Sequence, residues 1–468
     1  MSMTIEQKPA GYIMPAGTDW IYTLSSTNTS GNYKYKFIAD LYIDKGTPST
    51  FKIRLKFSPN DSNVGIINIS DILQDYVNPD KLAYYDGTIK AEFKTNDASA
   101  TNEFPVHLID KFSLAKNSTY RLTIEFGEEY STTATGAATI HTNEVSSADW
   151  LFYNGVAYNN EQVLSSGNYG ISLVDWDSNN YIVSGTYGTL LTNAPIDAQY
   201  IGDNEYATIA HLNGYLGGPI ATATKAEIKI YNSSDVLLDT ITNEFLAQNG
   251  GYNGSSDSAF TDSQKNIQYI GVGPGNISGA TGSWDTTWAY YNVVLIDDSR
   301  VEKSKTYKYI KRNADCKGFE KIRLTWLNKF GVWDYYTFTK KSVKQTKISR
   351  NYYSSVKGNW NDSTFTKYGG DRGRGVITTK ATESISINSD WIYTDEEAAW
   401  LEELFISQEV YIINDDDGLF VSVAKYGKYM IPVVITNTDY QRYTRANDKV
   451  AQYNINLEYS IDKKVQRA

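Results

Sequence analysis

The chain has 468 residues, with 44 basic and 54 acidic side chains and a formal net charge of −10 at pH 7. An acidic chain lacks the surplus of Lys and Arg that neutralises phosphates, which argues against a general nucleic-acid binder. Aromatic residues make up 14% of the sequence and glycines number 34, a composition typical of strands and turns. We therefore expect a mainly β fold, and the length predicts two to four domains because single cores stop growing at roughly 250 residues.

Residues 1–145 are predicted to form an N-terminal β-sandwich-like domain. Residues 51–57 alternate apolar with basic side chains, which predicts a strand with one buried face. Ser70 and Asp71 predict the cap of a short helix that stops before Pro79. Strands at intervals of about ten residues are typical of a sandwich. Residues 131–147 are rich in Ser, Thr, Ala and Gly, and we interpret them as a surface connection to the next domain.

Residues 146–303 are predicted to form a loop-rich middle β domain. Residues 225–240 have the pattern of a hairpin, with a turn at Asn232-Ser233-Ser234-Asp235. Two long stretches rich in Gly, Asn and Ser, residues 248–258 and 271–283, are predicted loops. Loops of this length tend to be functional or mobile, so we expect any variable partner to bind there.

Residues 304–468 are predicted to form a C-terminal β-rich domain, which opens on an aromatic hairpin. The hairpin runs to Phe338 and includes Trp326 and Trp333 on either side of a turn at Asn328-Lys329-Phe330-Gly331. Aromatic side chains in this pattern fit a core, a subunit interface or a sugar-stacking platform. The alternation favours the first two of these.

A helix over residues 395–408 is predicted to cover the sheet of this C-terminal domain. Thr394 and Glu397 have the spacing of a capping box. An apolar stripe at helical spacing predicts the buried face, and Glu402, Glu403 and Gln408 fall on the other side; the stripe comprises Ala398, Leu401, Leu404 and Phe405. Strands follow the helix, and residues 452–459 alternate so clearly that we expect a last strand that completes the sheet. The fold class is therefore mainly β, with several antiparallel sandwich-like domains and a small α+β C-terminal domain.

The sequence carries no signature of a catalytic, cofactor or metal site, and we predict none. The histidines, His107, His141 and His211, are far apart and lack a second ligand at metal-site spacing. Cys316 is the single cysteine, so no internal disulfide can form, and we interpret it as a core residue. Gly271-Val-Gly-Pro-Gly275 does not continue as a phosphate-binding motif. Asp415-Asp-Asp-Gly418 lacks a calcium loop and predicts a turn.

Positive charge is concentrated in one segment. Between Lys303 and Arg350 there are 14 basic and 3 acidic residues, a local charge of +11, which leaves about −21 for the remainder. In a ring built by head-to-tail contacts, this asymmetry would let a basic surface meet the acidic surface of the next subunit. The predicted subunit-interface residues are Lys340, Lys341, Lys344, Lys347, Trp326 and Trp333. The alternative is an ordinary solvated face.

The aromatic block of residues 318–338, the capped helix and Met430-Ile-Pro-Val-Val-Ile-Thr436 together resemble tailed-bacteriophage virion proteins. The resemblance is to tail-tip and baseplate components of the distal-tail type, and it covers roughly the last 150 residues. It implies a β-rich subunit in a ring or spike that presents a docking surface to fibres or host, and it implies no catalytic residues. It also implies partners among copies of the chain and other virion tail proteins, and a place in the virion tail after assembly in the host cytoplasm.

The resulting hypothesis is a non-enzymatic structural subunit of a phage tail: a tail-tip, baseplate or adaptor-ring protein. The alternatives are a tail-associated polysaccharide depolymerase and a carbohydrate-binding receptor-binding protein. A glycosidase needs two carboxylates roughly 5 to 10 Å apart, and a chain this rich in acids leaves that open. A host surface glycan is a candidate ligand. Since no apolar run has the length of a membrane span and no secretory signal is recognised, we expect no membrane insertion.

Overall fold

The computed structural model describes residues 3–9, 13–46, 49–83, 105–109, 112–147, 150–158, 162–164, 171–173, 188–212, 223–244, 266–277, 284, 287–312, 319–361, 363–370, 373–413, 430–437, 439–440 and 452–463. The chain forms two compact units. The first comprises Met1–Ala314, Trp326–Tyr335 and Asp415–Tyr426, and the second comprises Asp315–Thr325, Tyr336–Asn414 and Gly427–Ala468. The division into domains of residues 1–145, 146–303 and 304–468 stays a prediction.

Strands dominate the described residues. The described strands up to residue 173 are β1 (Met3–Gln7), β2 (Ile13–Pro15), β3 (Ile21–Ser26), β4 (Tyr33–Asp44), β5 (Phe51–Phe57), β6 (Gly65–Asn68), β7 (Phe112–Leu114), β8 (Thr119–Ser131), β9 (Thr139–Ser146), β10 (Trp150–Tyr153), β11 (Gln162–Leu164) and β12 (Ile171–Leu173). The later ones are β13 (Gln199–Ile201), β14 (Thr208–Leu212), β15 (Lys225–Asn232), β16 (Leu237–Glu244), β17 (Ile267–Gly271), β18 (Trp288–Ile296), β19 (Tyr307–Lys311), β20 (Ile322–Leu327), β21 (Trp333–Phe338), β22 (Val343–Ser354), β23 (Arg374–Asn388), β24 (Val410–Ile413), β25 (Met430–Ile435) and β26 (Asn454–Tyr459). The α-helices among the described residues are α1 (Ser70–Tyr76) and α2 (Asp395–Ile406).

The first unit begins with a β-sandwich. A three-stranded sheet in the order β1-β3-β6 faces a six-stranded sheet in the order β2-β10-β8-β4-β5, in which β9 also pairs with β8. Tyr22 and Leu24 of the small sheet share one core with Phe37, Leu41 and Phe126 of the large sheet, and all five are fully buried. Two sheets that bury their inner faces against each other are a sandwich, which confirms the predicted fold class.

A second pair of sheets follows in the same unit. Five strands in the order β13-β19-β18-β15-β16 share a core with the three-stranded sheet β14-β17-β7. Phe112 and Ile270 of the smaller sheet lie in this core with Ile228, Ile230 and Tyr291 of the larger one. The predicted hairpin at residues 225–240 is confirmed, since β15 and β16 pair antiparallel.

Two local interpretations in the N-terminal region are wrong. Residues 131–147 contain β9, which pairs antiparallel with β8, so they form a hairpin rather than a surface connection. Threonine has a high strand propensity, and a largely exposed strand tolerates polar side chains on both faces. Ser70 and Asp71 lie inside helix α1 rather than capping it: Ile69 is the N-cap, and the Ser70 amide of the first turn donates a hydrogen bond to Asn68 Oδ1 at 3.1 Å.

A seven-stranded sheet has the order β21-β20-β24-β25-β26-β23-β22. Its strands β22 to β26 lie in the second unit, together with helix α2. Thr394 caps α2 as predicted, with its Oγ1 accepting a hydrogen bond from the Glu397 amide at 3.1 Å. The helix ends at Ile406 rather than at residue 408, because Ser407 adopts an extended conformation. Trp400 of the helix contacts Tyr336 of the sheet, with 6.0 Å between ring centroids. The α+β architecture predicted for this region is confirmed.

The buried face of α2 is wider than the predicted stripe. Ala398, Leu401 and Leu404 are buried as expected, whereas Phe405 is half-buried. Glu403 was assigned to the solvent side, and this assignment is wrong, because its exposed fraction is 5%. Glu402 also has a structural contact, since it accepts a hydrogen bond from the Tyr453 hydroxyl at 2.9 Å.

The last strand lies inside the sheet. β26 pairs antiparallel with β23 on one side and with β25 on the other. Tyr453, Ile455 and Leu457 are buried, and Asn454 and Asn456 between them are exposed, as the alternation predicted. Residues close to the C-terminus therefore hold two neighbouring strands together.

Several predictions fall outside the described residues. They are the loop at residues 248–258, Cys316 and the turn at residues 415–418. The predicted loop at residues 271–283 is described only as far as residue 277 and at residue 284.

Candidate functional site: an exposed β-hairpin arm

The most unusual element of the second unit is the hairpin formed by β22 and β23. The two strands pair from Val343 with Ser386 out to Ser354 with Arg374. β26 supports β23 only from Ser384 to Asn388, and one further bridge joins Ala381 to Lys463. Beyond that bridge the hairpin continues as a ribbon of two strands for about 20 Å, given about 3.3 Å per residue. We call residues 343–380 the arm.

Every residue of β22 is exposed. The side chains on the two strands of the arm are nevertheless rich in large apolar groups, each at least 41% exposed. They are Val343, Ile348, Tyr352, Tyr353, Val376 and Ile377. An isolated two-stranded hairpin is at best marginally stable in water, and contiguous exposed apolar surface marks interaction sites. The arm therefore exposes large apolar side chains on both of its strands.

Aromatic side chains are concentrated at the tip of the arm. Trp360 and Phe365 contact each other with 4.9 Å between ring centroids, next to a bridge between Asn359 and Thr366. Trp360 is 66% exposed, Phe365 53% and Tyr368 72%. Gly358 has φ +91°, a left-handed conformation that glycine adopts without strain, which explains its place in this turn. The tip therefore presents three rings to solvent.

The arm and the residues leading into it are basic. Residues 340–380 contain ten basic residues and two acidic ones, a net charge of +8, which leaves −18 for the rest of the chain. At the base, Lys340 pairs with Asp390 at 3.2 Å and Lys344 with Glu320 at 2.7 Å. The hydrogen bond to Glu320 raises the pKa of Lys344. Further out, Lys347 and Arg350 are exposed on β22.

The predicted interface residues separate into two groups. Lys340, Lys341, Lys344 and Lys347 are all exposed at or near the base of the arm, where a partner can reach them. Trp326 and Trp333 are only 0% and 3% exposed, and the Trp333 indole donates a hydrogen bond to the Asp80 carbonyl oxygen at 2.8 Å. Both tryptophans are core residues, so their assignment to a subunit interface is wrong, and neither forms a sugar-stacking platform.

Most residues of the arm have no sequence pattern that predicts a strand. Periodicity detects a strand through its buried face, and β22 has none. The amino-acid composition of this stretch is the feature of the sequence that indicates an unusual segment. From residue 340 to residue 361 there are basic but no acidic residues, interspersed with Thr, Ile, Val and Tyr, which favour strands.

The histidines are structural. His107 is fully buried; its Nδ1 lies 2.7 Å from the Tyr335 hydroxyl, and its ring contacts Trp333. Burial lowers the pKa of His107 to about 3, and it does the same for His211. His141 stacks on Tyr130 with 4.9 Å between ring centroids. Within the described part of the chain, no group of three His, Cys, Asp or Glu side chains could hold a metal ion.

Asp80 also serves the fold of the first unit. Its carboxylate accepts hydrogen bonds from the amides of Lys116 and Asn117 and from the hydroxyl of Ser118. Burial raises the pKa of Asp80, and these hydrogen bonds oppose that shift. Because Asp80 is 1% exposed and Ser118 0%, substrate cannot reach this Ser-Asp pair.

The glycines at residues 271–275 allow close packing. A Cβ on Gly273 would lie 2.5 Å from the Ala207 amide nitrogen, and one on Gly275 would lie 2.6 Å from the Asn204 carbonyl oxygen. The Gly275 amide donates to the Glu205 carbonyl oxygen. These glycines are required by a tight backbone approach, which supports their interpretation as a structural loop.

Comparison with known proteins adds little. No family model and no curated protein matches the chain. The chain aligns with the crystal structure of trypsin-activated alpha-2-macroglobulin from Escherichia coli at 6% identity and a TM-score of 0.18, over 85% of this chain and 23% of that one. A Salmonella alpha-2-macroglobulin mutant aligns at 5% identity and a TM-score of 0.17, over 97% and 30%. Similarities this weak carry no argument about fold or function.

The length and hydropathy of the described helices bear on membrane crossing. Neither α1 nor α2, the α-helices in the described ranges, is long and apolar enough to cross a membrane.

Proposed function

We propose that the chain is a non-enzymatic structural subunit that assembles with copies of itself through the arm. The observation that carries this proposal is β22, a strand of twelve exposed residues at the end of a seven-stranded sheet. A terminal strand has one row of unpaired backbone groups and is a template for pairing with another chain. Proteins usually keep such strands short or cover them, whereas β22 has twelve residues, all exposed, among them Val343, Ile348, Tyr352 and Tyr353.

The setting we propose for this assembly is the tail of a bacteriophage, as a tail-tip, baseplate or adaptor-ring protein. The support is the resemblance of the last 150 residues, together with a β-rich body that carries a projecting arm. The acidic remainder of the chain gives the basic arm a complementary surface on a neighbouring copy. Other tail proteins would bind the same ring or spike. The site of assembly would be the host cytoplasm, and the final location the virion.

Electron microscopy tests this proposal. Purified protein is examined by negative stain, and particles are labelled with an antibody raised against it. We expect closed rings or regular oligomers in the first image and label at the tail of tailed particles in the second. A protein that stays monomeric at high concentration, or label absent from the tail, would contradict the proposal.

The tip supports a second candidate, a carbohydrate-binding receptor-binding protein. Trp360, Phe365 and Tyr368 are exposed together at the end of the arm, and aromatic faces are the surfaces on which sugar rings stack. The discriminating experiment is binding of host surface glycan to wild type and to a Trp360→Ala, Tyr368→Ala variant. Binding that needs these rings favours the second candidate, whereas assembly that proceeds without glycan binding favours the first.

A further inference from the structure

We propose that the tip of the arm docks on a membrane surface that carries anionic lipids. The aromatic rings of the tip enter the headgroup region, and the basic residues beside them contact the lipid phosphates. This inference goes beyond the proposed function, because assembly uses the free edge of β22 whereas the lipid contact uses the turn at the end of the arm. It is a surface contact and requires no segment that crosses the membrane.

The tip lies at the far end of the arm from its supports. β26 and the bridge at Ala381 are the last of these supports, and the ribbon continues beyond them for about 20 Å, given about 3.3 Å per residue. Val356, where the tip begins, is 76% exposed, and the three rings beyond it are each more than half exposed. Exposed apolar patches mark protein or membrane contacts, and large rings at the end of a narrow ribbon suit a surface into which they can sink.

The rings of the tip can leave water at little cost in hydrogen bonds. The Trp360 indole Nε1 donates a hydrogen bond to the Lys357 carbonyl oxygen at 3.1 Å, within the turn itself. Phe365 has no polar side-chain atom. Burial of an unpaired donor in an apolar medium is expensive, so a partner inside the turn favours transfer of the indole into lipid. Tryptophan and tyrosine are also the residues enriched at membrane–water interfaces.

The turn that holds the rings is preformed. The Asn359 amide donates to the Thr366 carbonyl oxygen at 2.8 Å, and the Asn361 amide donates to Asn359 Oδ1 at 3.0 Å. Gly358 packs so closely against the Phe365 ring that a Cβ at this position would clash with it. Binding therefore has to order few groups that are not already in place, which favours affinity.

Basic residues at the tip select an anionic surface. Lys357, Lys367 and Arg374 are exposed in the turn or next to it. Residues 355–374 contain four basic and two acidic residues, within the net charge of +8 on residues 340–380. Each Lys or Arg close to an anionic membrane strengthens binding about fivefold. Stable docking takes two signals, such as apolar insertion and a basic patch, and the arm supplies both.

The geometry of the rings favours lipid over sugar as the ligand. A sugar ring stacks on an open aromatic face. Trp360 and Phe365 turn toward each other, with an interplanar angle of 52°, so these two rings do not form one flat platform. Entry into the headgroup region requires exposed apolar surface but no flat platform. A soluble acidic polysaccharide is therefore the competing ligand in the experiment.

Sedimentation of the full chain with lipid vesicles tests the proposal. The vesicles consist of phosphatidylcholine alone or of equal parts phosphatidylcholine and phosphatidylglycerol. We expect wild type to bind the mixed vesicles and not those of phosphatidylcholine alone. The ring variant is Trp360→Ala with Tyr368→Ala, and the charge variant is Lys357→Glu with Lys367→Glu. Each variant should bind the mixed vesicles about tenfold more weakly or worse.

Each variant has a matched control elsewhere in the chain. Trp391→Ala with Tyr393→Ala removes the same two ring types, 52% and 68% exposed, from the segment before α2. Lys36→Glu with Lys52→Glu reverses two exposed lysines of the first sandwich. Both controls should bind the mixed vesicles as wild type does, and all variants should melt as wild type does.

Fluorescence quenching by lipids with brominated chains locates the contact. The chain has 10 tryptophans, so single substitutions identify the indole that enters the membrane. Trp360→Phe keeps a ring at the tip and should bind the vesicles but lose most of the quenching. Trp391→Phe should keep it.

The outcomes separate this inference from the proposed function. A ring variant that binds the mixed vesicles as wild type does, or a Trp360→Phe protein that is still quenched, would overturn the tip as the lipid contact. So would wild type that ignores the mixed vesicles, or that uses the same rings only for soluble alginate. Wild type that binds vesicles but never assembles in sedimentation velocity would contradict the proposed function alone.

Discussion

The guanidinium group of Arg374 lies over the ring of Tyr352, with 4.0 Å between its central carbon and the ring centroid. The contact joins β23 to β22 beyond the last point at which the sheet supports the arm. A cation–π contact at an exposed site contributes about 0.5–1 kcal/mol. It therefore helps to keep the two strands of the arm together.

The first prediction concerns this contact. Arg374→Ala removes the cation, and we expect amide exchange in the outer part of β22 to become about two- to fivefold faster, which corresponds to the loss of about 0.5–1 kcal/mol of local stability. Hydrogen exchange of the monomeric protein measures this. Lys367→Ala, an exposed cation at the tip, is the control and should leave exchange in β22 unchanged. If both substitutions accelerate amide exchange in β22 equally, the contact between Arg374 and Tyr352 is not what stabilises the arm.

The second prediction concerns helix α2. Leu401 and Leu404 are 1% and 0% exposed, and truncation of a buried leucine to alanine costs about 2–5 kcal/mol. Glu396→Ala on the exposed side of the first turn should cost less than about 0.5 kcal/mol. Glu402→Ala should fall between them, at about 0.5–1.5 kcal/mol, because it removes the hydrogen bond from Tyr453. Denaturant melts measure all four substitutions, and equal losses would refute the packing of the helix described above.

The third prediction is a pH dependence of stability. His107 and His211 have pKa values of about 3 in the folded chain, and an unfolded histidine has a pKa of about 6.5. Below pH 6.5 the unfolded chain therefore binds protons that the folded chain does not, so these histidines favour unfolding increasingly as the pH falls from about 6.5 toward 3. Above pH 6.5 both histidines are mostly neutral in the folded and in the unfolded chain, so they do not favour unfolding there.

Variants isolate this effect from that of the carboxylates. The free energy of unfolding of His211→Gln should fall less steeply than that of wild type between pH 6.5 and pH 4, whatever its stability at pH 7. Parallel curves for wild type and His211→Gln would show that His211 does not titrate on unfolding in the way its burial requires.

The fourth prediction concerns the last strand. Leu457 is fully buried on β26, and Asn456 beside it is exposed on the opposite face. Leu457→Asp buries an uncompensated carboxylate, so we expect an insoluble chain, whereas Asn456→Asp adds the same charge at the surface and should remain soluble. Removal of residues 450–468 should also give an insoluble chain, since it leaves β23 and β25 without their shared neighbour. A soluble, cooperatively melting Leu457→Asp protein would contradict the position of β26 in the sheet.

Local signals in the sequence predicted part of this fold well. The cap at Thr394 and the alternation of residues 453–457 depend on hydrogen bonds and periodicity within a few residues, and both are confirmed. Glu403 shows the limit of the helical period, because it is buried although it lies outside the predicted apolar stripe. An aromatic alternation cannot distinguish a core from a subunit interface, and this is why Trp326 and Trp333 were assigned to an interface.

The arm could not be predicted in the same way. Sequence patterns report which side of a strand is buried, and β22 is exposed on both sides within one chain. A strand without a buried face has no alternation of buried and exposed residues to detect. The cluster of lysines at residues 340–347 did point to this region, because a charge surplus is visible without knowledge of the pairing.

Truncation of the arm tests the central claim most directly. Ile348 and Ala381 are paired residues, so residues 349–380 can be replaced by an Asn-Gly turn that closes the hairpin at its supported end. The truncated chain and wild type are compared by sedimentation velocity over the same concentrations, with thermal melts to show that the body still folds. We predict that wild type assembles and that the truncated chain folds but remains monomeric. A folded, truncated chain that assembles as wild type does would contradict the assignment of assembly to the arm.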